Sequence, residues 1–197
     1  VAMADIAAGA SFAIPSGGIA FMLSGQGSQK PGMGADLLDV PEVAAAFSLA
    51  SKTFGFDVAE LVCSDDPDRI NDTRFAQPAL CALSVGIAHA LEARGVEPAA
   101  VLGFSLGQIG ALAVAGMLSD EETFALVRRR TDLMAQAAEK HPGAMSALLK
   151  GTDEEVEELC ERCAQGQVLV PANYNSPGQV VISGELEAIA RAEEEWT

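Results

Sequence analysis

The sequence predicts an α/β protein in two parts: a core built on a parallel sheet, then a small α+β subdomain. Three observations predict it. Up to residue 140, short apolar runs alternate with helical patterns, the order of a mainly parallel sheet covered by helices. One of those runs ends in Gly103-Phe104-Ser105-Leu106-Gly107, with an Ala/Leu-rich helix directly behind it. After a break at Lys140-His141-Pro142-Gly143 the order becomes βαββα, one strand short of a ferredoxin-like βαββαβ unit.

Residues 1–17 lack the basic stretch of a secretory signal and read as a loose leader. The large subdomain then runs over 18–140. Gly18–Leu23 is an apolar run bounded by glycine, which suits a buried parallel strand. It enters Ser24-Gly25-Gln26-Gly27-Ser28-Gln29, a loop of small and amide residues. Helical periodicity covers Pro41–Phe54 and Pro78–Arg94, each with a glycine (Gly55, Gly95) placed to close it. Ala99–Gly103 is the second buried strand and Leu106–Ala115 the helix after it. Ser119-Asp-Glu-Glu122 has the spacing of a capping box and opens a long helix to about Lys140. In the small subdomain, 144–197, Ala144–Leu149 reads as a strand and Thr152-Asp-Glu-Glu155 caps a helix. Val168–Tyr174 and Gln179–Ser183 read as strands joined by a turn at Asn175-Ser176-Pro177-Gly178, and Glu185–Trp196 as a helix. On this order the chain is expected to stop inside its second subdomain.

Composition narrows the function. Across 197 residues, 49% are hydrophobic but only 5% aromatic, so the core is built from Ala, Val, Leu and Ile. A net charge of −16 argues against broad binding to nucleic acid or to anionic lipid. No apolar run is long enough to cross a bilayer. Cys160 and Cys163 share an acidic helical stretch with no second cysteine pair to make a zinc site, so they read as reduced thiols of a cytoplasmic protein.

The chemistry centres on Ser105. A serine between glycines two residues away on either side, at a strand-to-helix junction, is a nucleophile elbow on an α/β-hydrolase-like core. Its hydroxyl is held clear of the backbone, and the following helix N-terminus aims free N–H groups at the same point. Nucleophile and oxyanion site are thus brought together.

Three motifs in sequence order resemble one family, the malonyl-CoA:acyl carrier protein transacylases of fatty-acid synthesis. They are Gly25–Gln29 (GQGSQ), Gly103–Gln108 (GFSLGQ) and Arg128–Gln136 on the long helix; Ala172–Gly184 (ANYNSPGQVVISG) also resembles that family's small subdomain. The similarity spans residues 18–197. An unrelated hydrolase would share the elbow but not the first or third motif. The resemblance implies ping-pong acyl transfer, in which Ser105 takes malonate from malonyl-CoA as an ester and a phosphopantetheine thiol of acyl carrier protein collects it. It implies further that the N–H groups of Gln26 and Leu106 form the oxyanion hole, that Arg130 binds the malonyl carboxylate, and that Phe104 lines the acyl pocket. A guanidinium grips a carboxylate through two parallel hydrogen bonds, which a lysine cannot reproduce. CoA and phosphopantetheine would be substrates, with no metal or resident cofactor. The expected partner is acyl carrier protein and the expected state a monomer.

The sequence departs from the family pattern at Phe104 and Gln108, where GHSLGE is frequent, and at Ser24, where proline is common. The larger departure is the general base. The family places its histidine after the small subdomain, whereas this sequence has only His89 and His141. Two other readings stay open on the residues alone: a non-catalytic module that binds acyl-CoA or a carrier protein, and a hydrolase of simple esters.

Overall fold

A computed structural model describes residues 17–64 and 66–196. The leader expected over 1–17 lies, apart from Gly17, outside the described residues. The chain forms two compact units that divide after Met134, inside the long helix and ahead of the sequence break at 140–143.

In the first unit, β1 (Ala20–Leu23) and β2 (Ala100–Gly103) pair in parallel, Ala20 opposite Ala100 and Leu23 opposite Gly103. Both strands therefore end at the same level, and the loops that leave them begin side by side. Helices α1 (Pro41–Phe54), α2 (Val58–Cys63), α3 (Pro67–Asn71) and α4 (Thr73–Glu92) lie between the two strands in sequence and α5 (Gly107–Val114) follows them. Helix α5 packs on both strands, α4 meets them through Ala88, and α1, α2 and α3 pack on α4. Helix α6 (Asp120–Lys140) continues into the second unit. Val43, Ala46, Phe47 and Ala50 of α1 pack with Ala79, Ala82 and Val85 of α4 and with Phe124 and Val127 of α6 into one buried cluster. That cluster fixes where α4 and α6 stand, and so where their polar residues point.

The short helices α2 and α3 carry too few residues to show a period in sequence. Helix α4 begins at Thr73, not at the expected Pro78. Proline is favoured at a helix start because its missing N–H is not needed there. Here the start is set instead by Asp72, whose side chain accepts the Arg74 N–H. Pro78 sits inside the helix on its buried face, among Ala76, Gln77 and Ala79. The helix gives up one intrahelical bond and gains a longer apolar face.

His89 joins two helices in this unit. Its Nδ1 lies 3.1 Å from Glu92 Oε2, and its Nε2 lies 3.1 Å from Asp120 Oδ1 at the start of α6. Burial by itself would lower the His89 pKa, but the carboxylates of Asp120 and Glu92 outweigh it and the net shift is upward. A histidine held above its unfolded value of about 6.5 stabilises the fold fully below that pH. The contribution is lost as pH rises through the raised folded value. In urea titrations across this range, the wild-type protein is expected to weaken as pH rises, and His89→Gln to lose that component.

In the second unit, β3 (Ala144–Leu149), β5 (Gln179–Gly184) and β4 (Leu169–Ser176) form an antiparallel sheet in the order β3-β5-β4. This is a split βαβ arrangement, with β5 between two strands that α7 (Asp153–Ala164) connects. Leu148, Val180, Ile182 and Leu169 face α7 and α8 (Leu186–Trp196), where Val156, Leu159, Ile189 and Ala192 meet them. Thr152 and Glu155 make both bonds of a capping box at the start of α7. Strand β4 extends through Asn175 and Ser176, which were expected in the turn, so Pro177 and Gly178 alone separate the two strands. Cys160 and Cys163 are free thiols on the buried face of α7. Burial raises the pKa of both, and the Glu195 carboxylate adds to the rise at Cys163. They are poor nucleophiles for that reason.

Candidate active site

The elbow forms where β2 meets α5. Phe104 N–H still bonds to Leu23 O, 3.0 Å away, and then the chain reverses. Ser105 takes φ 48°, a left-handed conformation that a residue with a side chain adopts only under strain. The turn closes through Gly107 N–H to Phe104 O at 2.8 Å and Gln108 N–H to Ser105 O at 3.1 Å. So tight a reversal leaves no room at its flanks. A Cβ on Gly103 would lie 2.0 Å from the Gly107 carbonyl carbon, and one on Gly107 would lie 2.1 Å from Leu23 O. The glycines of the pentapeptide are required by this backbone-on-backbone contact, and Ser105 itself remains exposed.

Leu106 is the N-cap residue of α5 and its side chain is buried. Among the described residues, no protein acceptor takes the N–H of Leu106 or of Gln26. Gly25, one residue before Gln26, stands so close to the elbow that a Cβ there would lie 2.7 Å from Phe104 O. The loop after β1 and the elbow after β2 therefore run in direct contact. Phe104 turns its ring edge to Gly25 and is otherwise 54% exposed. Gln108 is exposed in the first turn of α5.

Arg130 comes from α6. Phe124, Val127 and Thr131 form the inward face of that helix, which leaves Arg130 at the edge of the face. Its Nη2 is 3.5 Å from Ser105 Oγ and its Nη1 is 2.5 Å from Gln77 Oε1. No carboxylate pairs with Arg130 among the described residues, and burial lowers its pKa without removing its charge. A half-buried guanidinium with no counter-ion, one arm held and the other beside a serine hydroxyl, is arranged to accept an anion.

Gln77 is the residue that sequence reasoning missed. It is fully buried on α4, accepts from Arg130 through Oε1, and donates through Nε2 to Met134 Sδ at 3.3 Å. The two neighbours fix which way the amide faces. Thr131 Oγ1 lies 2.8 Å from Val127 O and 3.3 Å from Gln77 Oε1, so its one proton serves the nearer carbonyl. The available signal was a lone amide within the apolar run FAQPALCAL.

The structure brings Ser105 and Arg130 into contact and places Leu106 and the Gln26 loop against the same turn. His89 is not part of that cluster, since both its ring nitrogens are engaged by Glu92 and Asp120. His141 follows α6 in the second unit.

A family model described as "Acyl transferase domain" matches residues 20–197. The malonyl CoA-acyl carrier protein transacylase of Escherichia coli K12 is 39% identical over 175 residues, which is 88% of this chain and 57% of that protein. The solved structure of the Coxiella burnetii malonyl CoA-acyl carrier protein transacylase superposes with a TM-score of 0.84 at 41% identity, covering 94% of this chain and 59% of the other. A malonyl-transacylase solved in complex with its type II PKS acyl-carrier protein gives a TM-score of 0.83 at 39% identity, covering 91% of this chain and 59% of that one. The chain thus spans somewhat under three fifths of the length of these relatives.

Proposed function

Since the chain belongs to the acyl transferase domain family, we propose that it carries the nucleophile, oxyanion site and carboxylate ligand of a malonyl-CoA:acyl carrier protein transacylase. The observation that carries this reading is the Arg130 guanidinium, 3.5 Å from Ser105 Oγ and without a counter-ion among the described residues. A hydrolase of neutral esters has no use for a cation there, and an acyl group that ends in a carboxylate does.

In this reading Ser105 Oγ adds to the thioester carbonyl of malonyl-CoA and passes its proton to a base. The carbonyl oxygen becomes an oxyanion, held by the N–H groups of Gln26 and Leu106. Two such donors, fixed before the charge develops, lower the barrier by several kcal/mol, on the order of 3 for one of them. Collapse expels the CoA thiolate and leaves malonyl ester on Ser105. The phosphopantetheine thiol of an acyl carrier protein then attacks that ester, and Ser105 regains a proton. Arg130 holds the malonyl carboxylate throughout, with Gln77 keeping its other arm in place. CoA and phosphopantetheine enter as substrates, and nothing in these steps calls for a metal or a resident cofactor. His89 is committed to Glu92 and Asp120, so it is not the base. A cytoplasmic setting fits the four free cysteines.

The test is intact mass of the protein after brief exposure to malonyl-CoA or to acetyl-CoA, with imidazole present to serve as the base. A gain of one malonyl group, much faster than any acetyl gain, is the expected result. Equal gain from both thioesters would point to an unselective acyl-serine enzyme and overturn the malonyl assignment.

A further inference from the structure

The loop that holds Gln26 is poorly equipped to keep its own shape. Between β1 and residue 35 there is no regular secondary structure and there are four glycines, of which Gly27, Gly32 and Gly34 have positive φ. Glycine-rich backbone loses more freedom on ordering than any other kind. Inside the loop, Ser28 Oγ donates to Gly25 O at 2.9 Å and Gly27 N–H donates to Gln29 Oε1 at 2.7 Å. Two side-chain bonds tie it to the rest of the chain among the described residues. Gln26 Nε2 donates to Thr73 Oγ1 and Gln29 Nε2 donates to Asn71 Oδ1, each at 2.9 Å.

Both acceptors sit at one helix junction. Asn71 ends α3 and Thr73 begins α4. Asp72 between them closes one helix and opens the next, bonding backward to the Asp68 and Arg69 carbonyls and forward to the Arg74 N–H. Arg74 also bonds the Asp72 carboxylate and holds its pKa below the usual range. The Gln29 amide is used at both ends: its oxygen orders the Gly27 N–H while its nitrogen is anchored on Asn71. A shift of this junction would therefore be passed to the Gln26–Gly27 backbone.

From this arrangement we infer that Asn71 and Thr73 are positioning residues, which act through Gln29 and Gln26 to aim the Gln26 N–H at the oxyanion formed on Ser105. The inference rests on the acyl-transfer reading. Neither residue touches the reacting atoms. Their effect falls on an interaction that strengthens only as charge develops, so losing it lowers the maximal rate and spares substrate affinity.

The experiment compares the wild-type chain with Thr73→Val, which keeps shape but loses the acceptor, and with Thr73→Ser, which keeps the acceptor. Two things are read: the rate of malonyl uptake against malonyl-CoA concentration, and amide exchange over residues 25–29. Loss of one such bond is expected to lower the saturating rate about tenfold in Thr73→Val, with the half-saturating concentration unchanged. Exchange at Gln26 and Gly27 should speed up in that variant, and Thr73→Ser should restore both quantities. Asn71→Ala against Asn71→Asp repeats the comparison through Gln29. Wild-type rate and wild-type exchange in Thr73→Val would overturn the inference, as would a rate loss that serine does not rescue. Should the wild-type chain take up no malonyl group even with imidazole added to stand in for the base, the acyl-transfer reading fails on its own. Exchange in Thr73→Val against Thr73→Ser then still decides whether the junction orders the loop, and unchanged exchange overturns it.

Discussion

Ser105→Ala is expected to abolish covalent malonyl uptake and to lower any transfer by about ten-thousandfold or more, the scale seen when an enzyme loses its nucleophile. The structure supports so large a figure because, among the described residues, no other hydroxyl stands at such a turn. Ser105 alone occupies the left-handed turn between two glycines that cannot carry a Cβ, at the N-terminus of α5. Alanine keeps that backbone and its strain at φ 48°, and the hydroxyl it removes is exposed, so melting temperature should hold. Activity and stability are expected to separate, and intact mass with a melting curve would show it. Malonyl uptake at another residue in Ser105→Ala would remove the elbow from the mechanism.

The second large effect belongs to Arg130. Arg130→Ala is expected to slow malonyl uptake by about a thousandfold, the cost of leaving a carboxylate unpaired in a half-buried site. Acetyl uptake should stay level or improve, because acetate has nothing to pair with the lost cation. The discriminating quantity is the malonyl-to-acetyl ratio of rate over half-saturating concentration, which should fall towards one. Arg130→Lys should recover only part of it. An ammonium presents a point charge and cannot span Gln77 Oε1 and a carboxylate as the guanidinium fork does. If Arg130→Ala slows both thioesters alike, Arg130 supports the fold and not the choice of substrate.

How much of this was legible beforehand follows from the range of the interactions. The elbow was readable from five residues because its cause is local: the backbone contacts that exclude a Cβ at Gly103 and Gly107 arise within the turn and from the strand beside it. The capping boxes at Ser119 and Thr152 were readable for the same reason, their partners lying three residues away. The start of α4 was misplaced because Pro78 is a common first-turn residue, and only the packed apolar face shows why a proline is carried inside. Gln77 and the Asn71–Thr73 junction were invisible as site residues. Their partners lie 53 positions away at Arg130 and 47 and 42 away at Gln26 and Gln29, and no spacing rule reaches that far.

The sequence by itself determined the α/β order, the strand-to-helix elbow that carries Ser105, the split βαβ pattern of the second unit, and the family to which the motifs belong. Each depends on neighbours along the chain or on the ordering of motifs. Only the tertiary structure decided that Arg130 faces Ser105 and lacks a counter-ion among the described residues, that Gln77 holds its other arm, and that His89 is spent on joining α4 to α6. One of three consecutive arginines meets the serine because packing of Phe124 and Val127 against α1 and α4 sets the rotation of α6. That rotation is a property of the assembled core, and no shorter stretch of the chain contains it.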